Sequence, residues 1–302
     1  MRFSRSVGLV VLALGLSSLG CDRIEALKDQ LFSSSKSEDG ANPEIEAIRA
    51  LYDASSYDEA LQKIAVFVQE NPGSADAFYY KGLCHLARAG QPDLKSPLSE
   101  EEQLSLEAFD RALSINPRHA SASIGVGDLY IRRVPPRRRR GASEDPADPY
   151  ALTLAAYERA ISIDPRLPQA QRAYAEFLAQ TGQLAEAETA YRAAVEAAAT
   201  VPELAPDYYL AYGRFLSGPA DRLDEALDQF ELAQMFRQGD PAIQQEMAIV
   251  HARVGLRHLE KQEYLLAEEA LKKAEAMFTD RSTPEAQKAA EALEQLRTMR
   301  RR

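Results

Sequence analysis

One decapeptide occurs twice, and that repetition constrains the fold more than any other feature of the chain. Residues 108–117 read Ala-Phe-Asp-Arg-Ala-Leu-Ser-Ile-Asn-Pro and residues 156–165 read Ala-Tyr-Glu-Arg-Ala-Ile-Ser-Ile-Asp-Pro, agreeing in identity or chemical type at every position. In the first copy Ala108, Phe109, Ala112, Leu113 and Ile115 fall at helical spacing on one face. Pro117 stops the helix because its ring cannot continue it. Small alanines admit a second helix at close range and the aromatic fills the gap beside them. That combination suits a helix pressed by neighbours on both sides, as in a stacked array of copied supersecondary units.

The first twenty residues carry a separate message. Arg2 and Arg5 precede the apolar run Val7 to Leu16, followed by Ser17-Ser18-Leu19-Gly20 and Cys21. Ten apolar residues in a helix cover roughly 15 Å, about half a bilayer core, so residues 1–20 read as a signal peptide and not a permanent span. The ending Leu-Gly-Cys resembles a bacterial lipoprotein lipobox, although Ser18 stands where leucine is usual. The resemblance implies lipidation of Cys21; the alternative is an ordinary secretory signal cleaved near Gly20. Residues 21–42 then read as a lipidated terminus and tether, with the run of serine, charge and glycine from Ser33 to Pro43 as its flexible part. Loss of the two leader arginines moves the formal charge from -10 to -12. An acidic body argues against nucleic acid as a general partner.

From Pro43 onward the apolar pattern is helical with almost no strand-like alternation, and here the residues carry a family resemblance. The array resembles tetratricopeptide repeats, whose helix pairs place a small residue in the first helix and an alanine, aromatic, alanine, proline series along the second. Unit one, about 41–74, has Ala47, Ile48 and Leu51, then Ala60, Ile64 and Pro72, with a capping box expected from Ser56 to Glu59. Unit two, about 75–119, has Phe78, Gly82 and His85, then Phe109, Ala112 and Pro117. Unit three, about 120–167, has Gly127 and Tyr130, then Tyr157, Ala160 and Pro165. Units four and five supply Ala175, Gly182, Tyr191, Gly213 and Phe230 among others, and unit six, about 248–281, keeps Gly255, Tyr264, Leu271 and Ala274. The resemblance implies an all-α fold, a right-handed superhelical solenoid of about six helix pairs over residues 43–281. Residues 282–302 would form a C-terminal capping helix and basic tail.

Two units are stretched. Pro72 and Pro117 stand 45 residues apart and Pro117 and Pro165 stand 48 apart, against about 34 for the family. An insertion inside a packed helix would rotate its apolar face away from the core, so the excess belongs in loops at about 88–98 and 133–149. The second holds Arg132, Arg133, Arg137, Arg138, Arg139 and Arg140, six arginines in nine residues of an acidic protein, kept extended by Pro135 and Pro136. Such a loop suits acidic protein segments or anionic headgroups; its bland reading is a solvated loop neutralised by Glu144, Asp145 and Asp148.

In a superhelix of this family the concave face is lined by the first helix of each pair. The resemblance places Tyr79 and Leu83, Ile124 and Asp128, Arg172 and Glu176, Leu210 and Arg214, and Leu256 on that groove. Apolar patches alternating with charges suit an extended or helical peptide. The Lys and Asn clamp by which some family members grip a C-terminal carboxylate is not found at these positions. No catalytic constellation is found, and the expectation is a protein that is not an enzyme, with no cofactor, metal or small-molecule substrate. His251 and His258 are seven residues apart, roughly 10 Å along one helix, too far to share a metal, and are expected to be packed. Repeat class and anchor together are similar in architecture to the lipoproteins that help assemble type IV pilus secretins. The expected function is a membrane-anchored interaction scaffold of the bacterial envelope, facing the periplasm, with a regulatory adaptor for a cell-wall hydrolase or synthase as the alternative.

Overall fold

The computed structural model describes residues 42–135, 145 and 147–301. Cys21, the leader, the tether and Arg137 to Arg140 lie outside the described residues. The described chain is helical, with one short 3-10 helix at Ala220–Arg222 and these α-helices: α1 Pro43–Asp53, α2 Tyr57–Glu70, α3 Ala75–Arg88, α4 Glu100–Ile115, α5 Ala120–Ile131, α6 Pro149–Ile163, α7 Pro168–Gln180, α8 Leu184–Ala198, α9 Ala205–Ser217, α10 Leu223–Phe236, α11 Pro241–Glu260, α12 Tyr264–Met277 and α13 Pro284–Arg301. Each odd helix from α1 to α11 packs on the even helix that follows it, giving six pairs, and α13 closes the stack against α11 and α12.

The twin decapeptides end α4 and α6 and do so by the same physics. Asn116 and Asp164, each before a proline, leave the helix for extended backbone at φ -126°, ψ 95° and φ -139°, ψ 96°, because a following proline disfavours the α region. Each side-chain oxygen then accepts the amide two residues on, Arg118 at 3.0 Å and Arg166 at 2.9 Å. The chain is thereby turned into the first helix of the next unit. Ahead of the first copy, Ser99 starts α4 with a complete capping box to Glu102, and Glu100 and Glu101 add favourable charge at the positive end of the helix dipole.

The core explains why the decapeptide needs an aromatic. Phe109 is fully buried, and a Cβ added at Gly82 of α3 or at Gly125 of α5 would come within 2.5 Å of its ring. The ring is clamped between two glycine notches, one on the partner helix and one on the next unit. Tyr157 lies in the same way on Gly127, Phe230 on Gly213, and Leu271 on Gly255. Close helix approach and aromatic burial are thus one device repeated along the array.

Two expectations need correction. Ser56 precedes α2 but makes no side-chain cap, because its backbone sits at φ -83°, ψ 58° and not in the extended conformation that aims the hydroxyl at the first-turn amides. Helix α11 begins at Pro241, seven residues before the expected start of unit six. Asp240 caps it, its carboxylate accepting the amides of Ala242 at 2.8 Å and Ile243 at 3.4 Å, and the added turns bury Ile243 and Met247. The connection between the two helices of a pair is tight in units one, four and six, where Ser55, Gly182 and Gln262 take positive φ. Units two and three carry the long connections, 89–99 and 132–148.

Candidate functional site

Successive first helices touch in order, α1 to α3, α3 to α5, α5 to α7, α7 to α9 and α9 to α11. Their outward side chains therefore share one face that runs the length of the array. Tyr79, Leu83, Ile124 and Asp128 are half-buried there. Tyr79 rests against Tyr80 at 5.2 Å and His119 at 5.3 Å between ring centroids, and burial holds its phenol well above the usual range. Asp128 accepts a hydrogen bond from Tyr157 Oη at 2.7 Å. Burial pushes its carboxyl up to about 6, Glu176 adds to the rise, and the Tyr157 bond and Arg172 oppose it.

The next two units supply paired charges. Arg172 Nε lies 3.5 Å from Glu176 Oε1, one turn away, and the guanidinium sits over the Tyr208 ring at 5.2 Å. Glu176 is 49% exposed, yet desolvation still raises its carboxyl. Arg214 reaches forward to Glu246 of α11, Nε to Oε1 2.7 Å.

One of the predicted groove residues serves the core instead. Leu210 is 8% exposed and belongs to the cluster with Ala175, Ile243 and Met247 that joins α7, α9 and α11. Leu256 is half-buried, its inner side against the cluster closed by Leu293 and Leu296 of α13, as Ile124 packs against that of Tyr157 and Phe177. At Leu210 a large apolar side chain is drawn into the contacts between neighbouring first helices, where burial is worth more than display. Sequence reasoning missed Tyr157, Tyr208 and Glu246, which complete the charges on this face. Tyr157 reads as a repeat packing residue; only its hydroxyl contact, across helices, shows the second use.

The arginine-rich stretch divides. Arg133 turns inward: its side chain is 9% exposed against 2% for Glu102, with Nη2 to Oε2 2.7 Å. It also donates to the carbonyls of Ser96 at 2.8 Å and Pro97 at 3.0 Å. Burial alone would raise the Glu102 carboxyl, but Arg133 and the Ser99 amide hold it below its usual value. Arg132 donates to the carbonyls of Ala89, at 2.7 Å, and Gly90. These two arginines fasten connection 89–99 to the end of α5 and are withdrawn from the expected basic loop. The reason is local: the connection ends in carbonyls and a buried carboxylate that need donors.

Among the described residues no group of three or more His, Cys, Asp or Glu could hold a metal, and no helix is long and apolar enough to cross a membrane. His258 pairs with Glu263 at 2.5 Å, while His251 is half-buried with its imidazole held below its usual value by burial. His85 contacts Glu101 at 2.8 Å, and His119 joins Asp76 at 3.0 Å.

The tetratricopeptide repeat family model matches residues 45–94 and 150–202. Over those two stretches the chain carries tetratricopeptide repeats, and the described array has the all-α fold of a solenoid of such repeats. Solved structures agree. The chain is similar to PilW, described as a widely conserved type IV pilus biogenesis factor, at 17% identity with a TM-score of 0.54, covering 84% of this chain and 100% of that one. It is similar also to a thermophilic tetratricopeptide repeat protein of Thermus thermophilus, at 19% identity and a TM-score of 0.52, covering 67% and 93%. At these identities the likeness is one of fold. No curated protein matches the sequence. A tetratricopeptide array is a scaffold for protein–protein interaction, and the first-helix face from α3 to α11 carries Asp128, Arg172, Glu176 and Arg214, each with a partner on the same array.

Proposed function

We propose that this protein is a membrane-anchored interaction scaffold of the bacterial envelope that holds an extended or helical segment of another protein along the face from Tyr79 to Arg214. The observation that carries the reading is the pattern on that face: apolar Leu83 and Ile124, phenols, and alternating charges at Asp128, Arg172, Glu176 and Arg214, all on successive first helices. Apolar pockets supply affinity and spaced charges set register. Placement in the envelope rests on the leader and Cys21, with the likeness to a pilus biogenesis factor as supporting context only. Arg137 to Arg140 remain the candidates for a second contact with an acidic segment or headgroup.

A photocrosslinking residue at Leu83, compared with one at Leu184, which is 55% exposed on a second helix, tests the groove. The reading expects one discrete crosslinked partner from Leu83 and none from Leu184; equal smears from both would overturn it. A secretin or other assembly subunit in the band supports an assembly role, and a wall hydrolase or synthase supports the regulatory one. Labelling with a radioactive fatty acid tests the anchor separately: signal lost in Cys21→Ala supports it, and equal labelling removes it.

A further inference from the structure

We propose that Asp128, hydrogen-bonded by Tyr157, is a receptor for one basic side chain, an arginine or lysine carried by the protein segment that the groove takes. This rests on the groove reading above and names the chemistry that its centre selects.

The groove's charges are unevenly matched. Arg172 is held by Glu176 at 3.5 Å and by the Tyr208 ring at 5.2 Å, and Arg214 is held by Glu246 at 2.7 Å. Asp128 has a phenol at 2.7 Å and, among the described residues, no cation in ion-pair contact. It stands on α5, a first helix that touches α3 on one side and α7 on the other. The carboxylate is therefore central to the face.

A carboxylate drawn out of water without a counter-ion is costly, which is why burial shifts it toward the neutral acid. An incoming guanidinium or ammonium removes that cost by pairing with the carboxylate. An anion is repelled by Asp128 and Glu176. A divalent ion wants several oxygen ligands, which these helices do not supply. The competing explanation is that Asp128 only fastens α5 to α6 through Tyr157. Asparagine separates the two, since its amide oxygen still accepts the Tyr157 hydroxyl while the charge is gone.

The test uses the full chain in detergent micelles, with tyrosine rings labelled for NMR, and two probes. The first is N-acetyl-arginine amide at millimolar concentration; the second is a set of labelled pentapeptides, Leu-Ala-Xaa-Ala-Leu, with Xaa arginine, lysine, glutamine or glutamate. The wild type should show arginine amide shifting the Tyr157 signal. It should bind the arginine and lysine peptides about tenfold tighter than the glutamine one. Asp128→Asn should keep its fold and lose that preference. Groups facing Asp128 are Tyr52, Tyr79, Tyr157, Arg172 and Glu176; the tyrosines and arginine keep their charge state in the acid range. The preference should therefore fade as pH falls below about 6, with Asp128→Asn run alongside to isolate any contribution from Glu176. No shift of Tyr157 by arginine amide, or a preference surviving in Asp128→Asn, overturns the proposal whatever the peptides do. If all peptides bind alike, the groove stands and the basic-side-chain receptor falls. If arginine amide binds and no peptide does, the receptor stands and the groove reading falls.

Discussion

Replacing Gly82 by alanine pits two known effects against each other at the centre of the stack. In an exposed helix the change stabilises by about 1 kcal/mol, the difference in helix propensity. Here the new Cβ would stand 2.5 Å from the Phe109 ring, and the ring cannot retreat, because the space behind it is closed by Gly125, whose own Cβ position is also 2.5 Å away. Overpacking of a closed core site costs about 1–3 kcal/mol. The net expectation is destabilisation by up to about 2 kcal/mol, a fall in Tm of up to about 8 °C for a chain of this size. Repeat arrays open locally, so amide exchange in α3, α4 and α5 should quicken while α10 to α12 stay protected. Phe109→Leu supplies the second arm: it removes the ring edge that the methyl meets, so the double variant should be about 1 kcal/mol more stable than the sum of the singles. Gly73→Ala, with nothing within 4 Å of the added carbon, is the control. A stabilised Gly82→Ala, or strict additivity with Phe109→Leu, would refute the clamp.

Three further outcomes are expected. Arg133→Met leaves the Glu102 carboxylate buried without its partner and should cost about 3 kcal/mol, read as faster exchange in connection 89–99 and the first turn of α4. Because the folded Glu102 carboxyl lies below its usual value of 4.5, the wild type's advantage over this variant should be full above that pH and shrink as pH falls through the folded value. Asp128 has the opposite sign: its carboxyl rises from 3.8 to about 6 on folding, so its effect favours the folded state at low pH and is lost as pH rises through about 6. Asp128→Asn should therefore gain on the wild type across that window, while Tyr157→Phe should move the Asp128 midpoint in an NMR titration above about 6. His119 caps α5 with Nδ1 accepting the Ala122 amide at 3.0 Å while Nε2 faces Asp76; His119→Ala should cost about 1 kcal/mol in thermal unfolding, and His119→Asn much less.

What the sequence determined by itself is the local and the repeated. The helix stops at Asn116-Pro117 and Asp164-Pro165, the capping box at Ser99, and the pairing of small residues with Phe109, Tyr157, Phe230 and Leu271 follow from proline sterics and from which residues recur. These rules act over a turn or two of helix, and every copy of the unit states them again. The turn geometry around Ser56 was not legible, because the φ of Ser55 and the ψ of Ser56 decide whether a hydroxyl can reach an amide. Tertiary structure alone decided what the polar side chains do. Arg133 looked like part of a basic loop until the chain brought Glu102, 31 residues earlier, to within 2.7 Å of it. Arg214 meets Glu246, 32 residues on, and Tyr157 meets Asp128, 29 residues back. Long flexible side chains reach across helices, and their partners depend on how successive units are rotated. No local pattern encodes that rotation. It is set by the sum of the core contacts between units, and it decides which charges the groove leaves for a partner.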